Sequence, residues 1–396
     1  MGALHDIRVL ELGSLLAGPF TGRLLGDFGA EVIKIEPPDK PDSMRIWGKQ
    51  IDGHGLLWPI QSRNKKSITL NLRVKEGQEI FKQLVAKADV VLENFRPGTL
   101  EKWGLDYETL KAINPKIILL RTSGFGQTGP YSQQAGFGSI GEAMGGLRYV
   151  TGFPDRPPTR IGISIGDSLA ALFATIGCLT ALHERERSGL GQVVDTAIYE
   201  AVFAMMEGLV PEYEMAGYIR ERTGNVLPGV APANIYETKE GDYIAIGANA
   251  DNVFKRLSAA MGMPELAEDE RFATHTARGQ NMQLLDDIVN EWTRTKAIGE
   301  LLALLNESGV PAGKIYSAKD IVEDPHYAAR EMIISMQHPI LGKFKMPGIV
   351  PKLSRTPGEV KEVGAVELGQ HNVEIYKRLL DYSDSRIDEL QQMGVI

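Results

Sequence analysis

The chain has 396 residues, 43% of them apolar and 24% charged, with a formal net charge of −8. That balance excludes a disordered chain, a collagen-like chain and a disulfide scaffold, and an acidic surface has no bulk attraction for nucleic acid. No run approaches the ~18 uninterrupted apolar residues expected of a membrane span, and the single cysteine, Cys178, closes no intramolecular disulfide, which fits a reducing, cytoplasmic compartment.

In chain order, residues 7–12 form the first predicted strand and 13–18 a glycine-flanked loop; nothing ahead of them reads as a signal peptide. A helix over 20–28 and a second strand over 31–36 follow, closed by Pro37 and Pro38. Further strands are predicted at 67–72, 89–92 and 116–121, with helices over 76–88 and 100–113 between them. Short apolar strands alternating with helices point to a parallel sheet with helical crossovers. Residues 124–152 read as glycine-rich loops. A long apolar helix is predicted from Ser168 to about Glu186, a last strand at Val193 and Val194, and a helix over 197–215. The Gly/Pro run 224–232 then changes the texture. Beyond it, a hairpin of 234–237 and 243–247 and helices over 252–261, 282–295 and 297–307 read as a small α+β unit. The tail holds strand-like pieces at 332–336 and 344–346 and helices at 369–380 and 384–393. The expected division is 1–215 for the first part of a large α/β domain, 216–227 for a linker, 228–323 for an inserted domain and 324–396 for the return.

Several motifs carry chemistry or imitate it. Gly124, Gly126 and Gly129, and again Gly136, Gly138 and Gly141, fit G-x-G-x-x-G. The first set follows a strand, but Pro130 stands where a dinucleotide-binding helix would run on, so a nicotinamide-dependent oxidoreductase is a remote alternative. The seven histidines show no metal-ligand spacing, no G-x-S-x-G elbow is present, and Cys178 sits mid-helix as a core filler. No metal site is expected. Asp167 follows Gly166 at the head of the long apolar helix. As an N-cap it would satisfy the first helix amides; as a nucleophile it would use the same amides and dipole to stabilise developing charge.

Leu10-Glu11-Leu12, Ala17-Gly18-Pro19, Glu31-Val32-Ile33-Lys34-Ile35-Glu36, Asn64-Lys65-Lys66, Glu93-Asn94-Phe95-Arg96-Pro97-Gly98, Gly126-Gln127-Thr128-Gly129-Pro130, Gly166-Asp167 and Gly189-Leu190-Gly191-Gln192 form an ordered pattern along nearly the whole chain. In that pattern the chain resembles the class III CoA-transferases, the family of the formyl-CoA:oxalate, carnitine and bile-acid CoA-transferases. The resemblance implies an α/β fold, with a Rossmann-like large domain built from both chain ends and an inserted smaller α+β domain. It implies a homodimer of interlinked rings, acyl-CoA and a small carboxylic acid as substrates, and no permanently bound cofactor. Asp167 is implied as the catalytic nucleophile, and coenzyme A contacts at Leu16, Ala17, Leu70, Asn71, Leu72, Arg73, Asn94, Phe95, Arg96, Lys102 and Phe137. Arg73, Arg96 and Lys102 suit phosphates, and Asn94 suits the amides of the pantetheine arm. Residues 136–146 are expected to act as a lid or oxyanion cradle. Leu16, Pro37 and Phe137 stand where formyl-CoA transferases place Gln, Arg and Tyr, which tells against oxalate specificity. The family's racemases need a His where Phe137 stands, so an α-methylacyl-CoA racemase is the runner-up reading. A small dicarboxylate is the expected acceptor, with Arg45, Arg148 and Arg160 as candidates for its second carboxylate.

Overall fold

A computed structural model describes residues 2–396. Two compact units divide the chain: the first takes the segment up to Leu147 with Ile161–Val210 and His326–Ile396, and the second takes Arg148–Arg160 with Pro211–Pro325. Arg148–Arg160, which the sequence division left in the large domain, belongs to the second unit.

The first unit is built on six strands: β1 (Arg8–Glu11), β2 (Glu31–Glu36), β3 (Lys65–Thr69), β4 (Val90–Glu93), β5 (Ile118–Ser123) and β6 (Val193–Ala197). All pair in parallel in the order β3-β2-β1-β4-β5-β6, that of a doubly wound sheet. The helices that matter to the site are α1 (Ala17–Asp27), α2 (Lys75–Val85), α3 (Thr99–Lys102), α4 (Tyr107–Ile113), α5 (Gly138–Met144), α6 (Ile165–Ser188) and α7 (Ile198–Phe203). Alternate strand residues serve opposite faces. Leu10, Ile33, Ile68, Val91 and Leu119 join Ile80, Phe81 and Leu84 of α2 and the terminal helices Asn372–Leu380 and Asp384–Gln392. Val9, Val32, Val90, Ile118 and Leu120 join Leu25 of α1 and Ala174, Cys178 and Ala181 of α6. Burial on both faces is why the Val-Leu, Val-Ile, Val-Val-Leu and Ile-Leu-Leu stretches of β1, β2, β4 and β5 read as short apolar runs.

The returning chain covers the free edge at β3. His371 donates its backbone N–H to the Ser67 carbonyl (2.9 Å), and its Nδ1 accepts the Ser67 N–H (3.0 Å). Asn372 Oδ1 accepts the Thr69 N–H (2.8 Å), and the Tyr376 hydroxyl donates to the Thr69 carbonyl (2.7 Å). An edge that could template aggregation is thereby closed by side chains.

Several expected elements differ. The helix expected over 100–113 is α3 and α4, separated at Gly104 (φ 65°), with Asp106 capping the second by accepting the Thr109 N–H (3.0 Å). The helix expected over 197–215 is the end of β6, then α7, then Leu209–Ala216, with Glu207 left-handed (φ 48°) between the two helices. The loops expected over 124–152 contain α5 and the turn Leu147–Val150. Glycine's poor helix propensity hid α5.

Helix α6 starts three residues before its expected beginning. Among the described residues it is the one helix long and apolar enough, by length and composition, to cross a membrane. It packs its small residues inward, with Ala170, Ala171, Ala174, Cys178 and Ala181 buried, while Leu172, Ile176 and Leu179 are 45, 58 and 43% exposed.

The second unit carries a three-stranded antiparallel sheet, Ala312–Lys314, Tyr243–Gly247 and Ala233–Glu237 in spatial order. Its first strand was not anticipated, because Ala-Gly-Lys has no apolar alternation. Asp251–Ala260, Met282–Thr293 and Ile298–Glu307 supply Phe254, Leu257, Leu285, Val289, Leu301 and Leu305 to its core.

Candidate active site

In a doubly wound sheet the crevice opens at the carboxyl ends of the strands where the order reverses, here between β1 and β4. A cavity of about 440 Å³ lies there. Leu12, Gly13 and Ser14 after β1, Lys34 to Pro37 and Lys40 to Ser43 along and after β2, Leu70, Leu72 and Arg73 after β3, and Phe95 and Trp103 after β4 line it. Of the residues expected to contact coenzyme A, Leu70, Leu72, Arg73 and Phe95 meet in this cavity. Phe95 and Trp103 pack edge to face, 5.4 Å between centroids. Asn71 Oδ1 accepts from the Arg73 N–H (3.1 Å) and Nε (3.2 Å), so it orients that arginine, which also pairs with Asp39. Lys40 is a lining cation that the sequence reading missed; it stands three residues past Pro37, where the family pattern wanted an arginine, and a shift of that size leaves no motif to find.

Other expected contacts are placed differently. Asn94 spends its carboxamide on the loop after β1: the Ser14 N–H donates to Oδ1 (2.8 Å) and Nδ2 donates to the Ser14 carbonyl (2.9 Å). It clamps backbone, where the sequence reading gave it the pantetheine amides. Leu16 and Ala17 lie on that clamped loop at the start of α1 but do not line the cavity. The same holds for Arg96, whose Nη2 donates to the Gln133 carbonyl (2.8 Å), and for exposed Lys102 at the end of α3. Glu93, under the E-N-F-R-P-G loop, accepts the Phe95 N–H (2.6 Å) and Arg121 Nε (2.7 Å), and burial pushes its carboxyl up to about 7 against the pull of that arginine. Arg45 is committed inside the protein. It pairs with Glu36 (2.7 Å), stacks over Trp58 (4.1 Å) and donates to the Val366 carbonyl (2.9 Å), so it is not available to a substrate carboxylate. Arg148 and Arg160 fall in the second unit, Arg160 exposed.

Asp167 is the third residue of α6, half-buried in its first turn. Ser164 holds the N-cap position, and Asp167 stands three residues on, at the third helical position. A carboxylate in a first helical turn is favoured by the helix dipole. Helix α5 lies directly against this carboxylate. A Cβ on Gly138 would stand 2.3 Å from Asp167 Oδ2 and 2.9 Å from Cγ, so any side chain there forces the carboxylate or α5 to shift. The remaining glycines of the second G-x-G-x-x-G set, and Gly145 beyond it, serve the same close approach. A Cβ on Gly136 would meet the Gly124 Cα at 2.8 Å, on Gly141 the Ile198 Cγ2 at 2.5 Å, and on Gly145 the Val202 Cγ1 at 2.6 Å. Gly138, Gly141 and Gly145 form a packing surface against α6 and α7, Gly136 packs on the loop after β5, and the segment expected as a lid is a helix at its centre. Phe137 occupies the N-cap position of α5 and is 67% exposed. Among the described residues no three His, Cys, Asp or Glu side chains are grouped to hold a metal. Burial pushes the Cys178 thiol up to about 12, which removes it as a nucleophile at neutral pH.

A carboxylate on a glycine-walled helix terminus and a cavity at the sheet's switch point suit acyl transfer from a nucleotide-bearing thioester. Comparison with known proteins gives the same class. Residues 4–372 match CoA-transferase family III. The chain is 60% identical over 394 residues to the succinyl-CoA–D-citramalate CoA-transferase of Chloroflexus aurantiacus, covering 99% of this chain and 98% of that one. It is 40% identical to the succinyl-CoA–L-malate CoA-transferase alpha subunit of the same organism, covering 99% and 92%. The crystal structure of a CAIB/BAIF family protein from Brucella suis superposes with a TM-score of 0.84 at 37% identity, covering 96% and 99%. The chain belongs to CoA-transferase family III, and it is a CoA-transferase.

Proposed function

We propose that the enzyme moves coenzyme A from succinyl-CoA to a small hydroxy-dicarboxylate, citramalate before malate, with Asp167 as nucleophile. The substrate choice is supported by the 60% identity to the D-citramalate enzyme against 40% to the L-malate one. The chemistry is carried by one observation: the Asp167 carboxylate in the first turn of α6, set against Gly138, where a Cβ would displace the carboxylate or α5.

In this reading an Asp167 oxygen attacks the donor thioester carbon. The C–S bond breaks, leaving a mixed anhydride and the CoA thiolate. The thiolate attacks the aspartyl carbonyl, the anhydride C–O bond breaks, and the donor acid leaves with an aspartyl-CoA thioester in place. The acceptor carboxylate attacks that thioester and expels the thiolate. The thiolate then takes the acceptor's acyl carbon and frees Asp167. The route needs neither a metal nor a resident cofactor. Arg73 and Lys40, both in the cavity wall, serve the CoA phosphates, and the loop bearing Leu16 and Ala17 receives the arm. The enzyme acts as a homodimer, supported by the large apolar side chains that α6 turns outward. The single, buried cysteine supports a reducing, cytoplasmic setting.

Asp167→Asn and Asp167→Ala test the reading. Both should fold and bind CoA while transfer from succinyl-CoA to citramalate falls at least ~10³-fold. Near-normal turnover in the alanine variant would reject Asp167 as nucleophile, and transfer to other acids alone would reject the substrate choice.

A further inference from the structure

Beneath the loop after β1 lies a buried ion cluster that none of the chemical steps uses. Lys34 on β2 and Lys65 on β3 both approach the Glu11 carboxylate of β1, at 3.3 and 2.8 Å, with side chains only 3 and 2% exposed. Lys34 also pairs with Asp42 (2.8 Å). The carboxylates of Asp42, Glu11 and Glu36 outweigh the cost of burial at Lys34 and hold its ammonium above its ordinary range, so this arm is a standing ion pair. Buried ion pairs are poor stabilisers compared with apolar packing, and their best-attested use is to fix one conformation.

The other arms of the cluster reach backbone of the loop after β1, of the first turn of α1 and of the segment after β2. Lys34 Nζ donates to the Gly13 carbonyl. Asp42 accepts the Leu15 N–H (3.1 and 3.2 Å) and, two residues on, the Met44 N–H (3.0 Å). Lys65 Nζ donates to the Pro19 carbonyl (2.7 Å). With Asn94 holding Ser14, side chains from β2, β3 and the segments after β2 and β4 grip four positions of a seven-residue stretch, 13–19. Leu15 sits at φ 63°, a left-handed conformation that a leucine keeps only when its surroundings hold it. The cluster also borders the cavity. Lys34 and Asp42 share the cavity wall with Gly13 and Ser14. The Thr21 hydroxyl, on the helix that the loop begins, lies within reach of two carbonyls, Ala17 of its own helix (3.2 Å) and Ala171 of α6 (3.3 Å), one turn beyond Asp167.

We infer that Lys34, Asp42 and Lys65 form a positioning clamp, which holds the Leu15–Ala17 backbone in the conformation that receives the acyl-CoA arm and keeps α1 seated against the nucleophile's helix. The inference rests on the reading that this loop contacts coenzyme A. Its mechanical part, the restraint of 13–19, is measurable without that reading.

The test uses full-length Asp42→Ala and Asp42→Asn. Hydrogen exchange of peptides covering 13–19 and titration with free coenzyme A are followed below the melting temperature of each variant, with succinyl-CoA kinetics alongside. In Asp42→Ala the amides of 13–19 should exchange at least ~10-fold faster with β4 and β5 unchanged, and coenzyme A affinity should fall ~10- to 100-fold, the range expected when a charge-assisted bond is lost. Asp42→Asn, which keeps the shape and one acceptor for Leu15, should recover part of both losses, and it supplies the readout if the alanine variant does not fold. Unchanged exchange in 13–19 for every folded variant would overturn the clamp. Faster exchange with wild-type coenzyme A affinity and kcat/KM would reduce the cluster to a structural element and overturn the positioning role. A wild-type protein that binds no coenzyme A would instead sink the functional reading, with the exchange result still deciding the restraint.

Discussion

Gly138 sets how closely α5 approaches the nucleophile. A methyl group there would overlap the Asp167 carboxylate at 2.3 Å, so either the carboxylate or α5 must move. Displacement of a reacting group by about 1 Å costs on the order of 10²-fold in rate. Gly138→Ala should therefore lose about that much kcat, with coenzyme A affinity within about threefold of wild type because Gly138 does not line the cavity; equal kcat would show that the carboxylate has room. The cations separate in the same way. Arg73 and Lys40 line the cavity, whereas Arg96 and Lys102 do not. Charge reversal at Arg73 or Lys40 should weaken coenzyme A about tenfold or more by titration calorimetry, and reversal at Arg96 or Lys102 by less. The reverse ranking would move the phosphates to the E-N-F-R-P-G loop. Asn94 and Arg45 show the limit of residue-by-residue reading. Their types suit pantetheine amides and a carboxylate, but the fold brings Ser14 to the one and Glu36, Trp58 and Val366 to the other. Nothing local announces such long-range partners.

At the scale of elements, the parallel sheet was legible because β1, β2, β4 and β5 are short apolar runs buried on both faces, and length with helical spacing is enough to recognise them. Helix α5 was not legible, since its glycines are intelligible only once α6 and α7 are seen to lie against them. The covered edge at β3 was equally invisible, because it depends on His371 arriving from more than 300 residues away. That edge has a pH dependence. Burial, and then the nearby Lys66 ammonium, hold the His371 imidazole below its ordinary value of 6.5, and its Nδ1 lone pair is engaged by Ser67. A base depressed in the folded state contributes stability that is full above about 6.5 and is lost as pH falls through the lower folded-state value. Glu93, raised to about 7, works in the opposite direction over the same range, so the His371 share is read as a difference: the stability gap between wild type and a His371 variant should narrow on acidification from pH 7 to 5. His371→Asn should be less stable at pH 7, and it retains the share of His338, which burial also depresses. Parallel curves for the two proteins would remove His371 from the account.

At the scale of the whole molecule, α6 presents Leu172, Ile176 and Leu179 to solvent while its alanines face the sheet. The proposed homodimer would account for that face by covering it with a partner subunit. If the dimer is of interlinked rings, it buries far more than the ~1,600 Å² of an ordinary interface and cannot separate without partial unfolding. Light scattering should find a dimer at nanomolar concentration and no folded monomer before denaturation; a folded monomer on dilution would reject the interlinked arrangement without touching the chemistry. The central claim concerns Asp167 and is tested most directly by trapping. Protein incubated with succinyl-CoA and no acceptor is digested and mapped by mass spectrometry. The account predicts a coenzyme A adduct confined to the peptide containing Asp167, removed by hydroxylamine and absent from Asp167→Asn. Full turnover with no adduct on that peptide, or an adduct on another side chain, would contradict it.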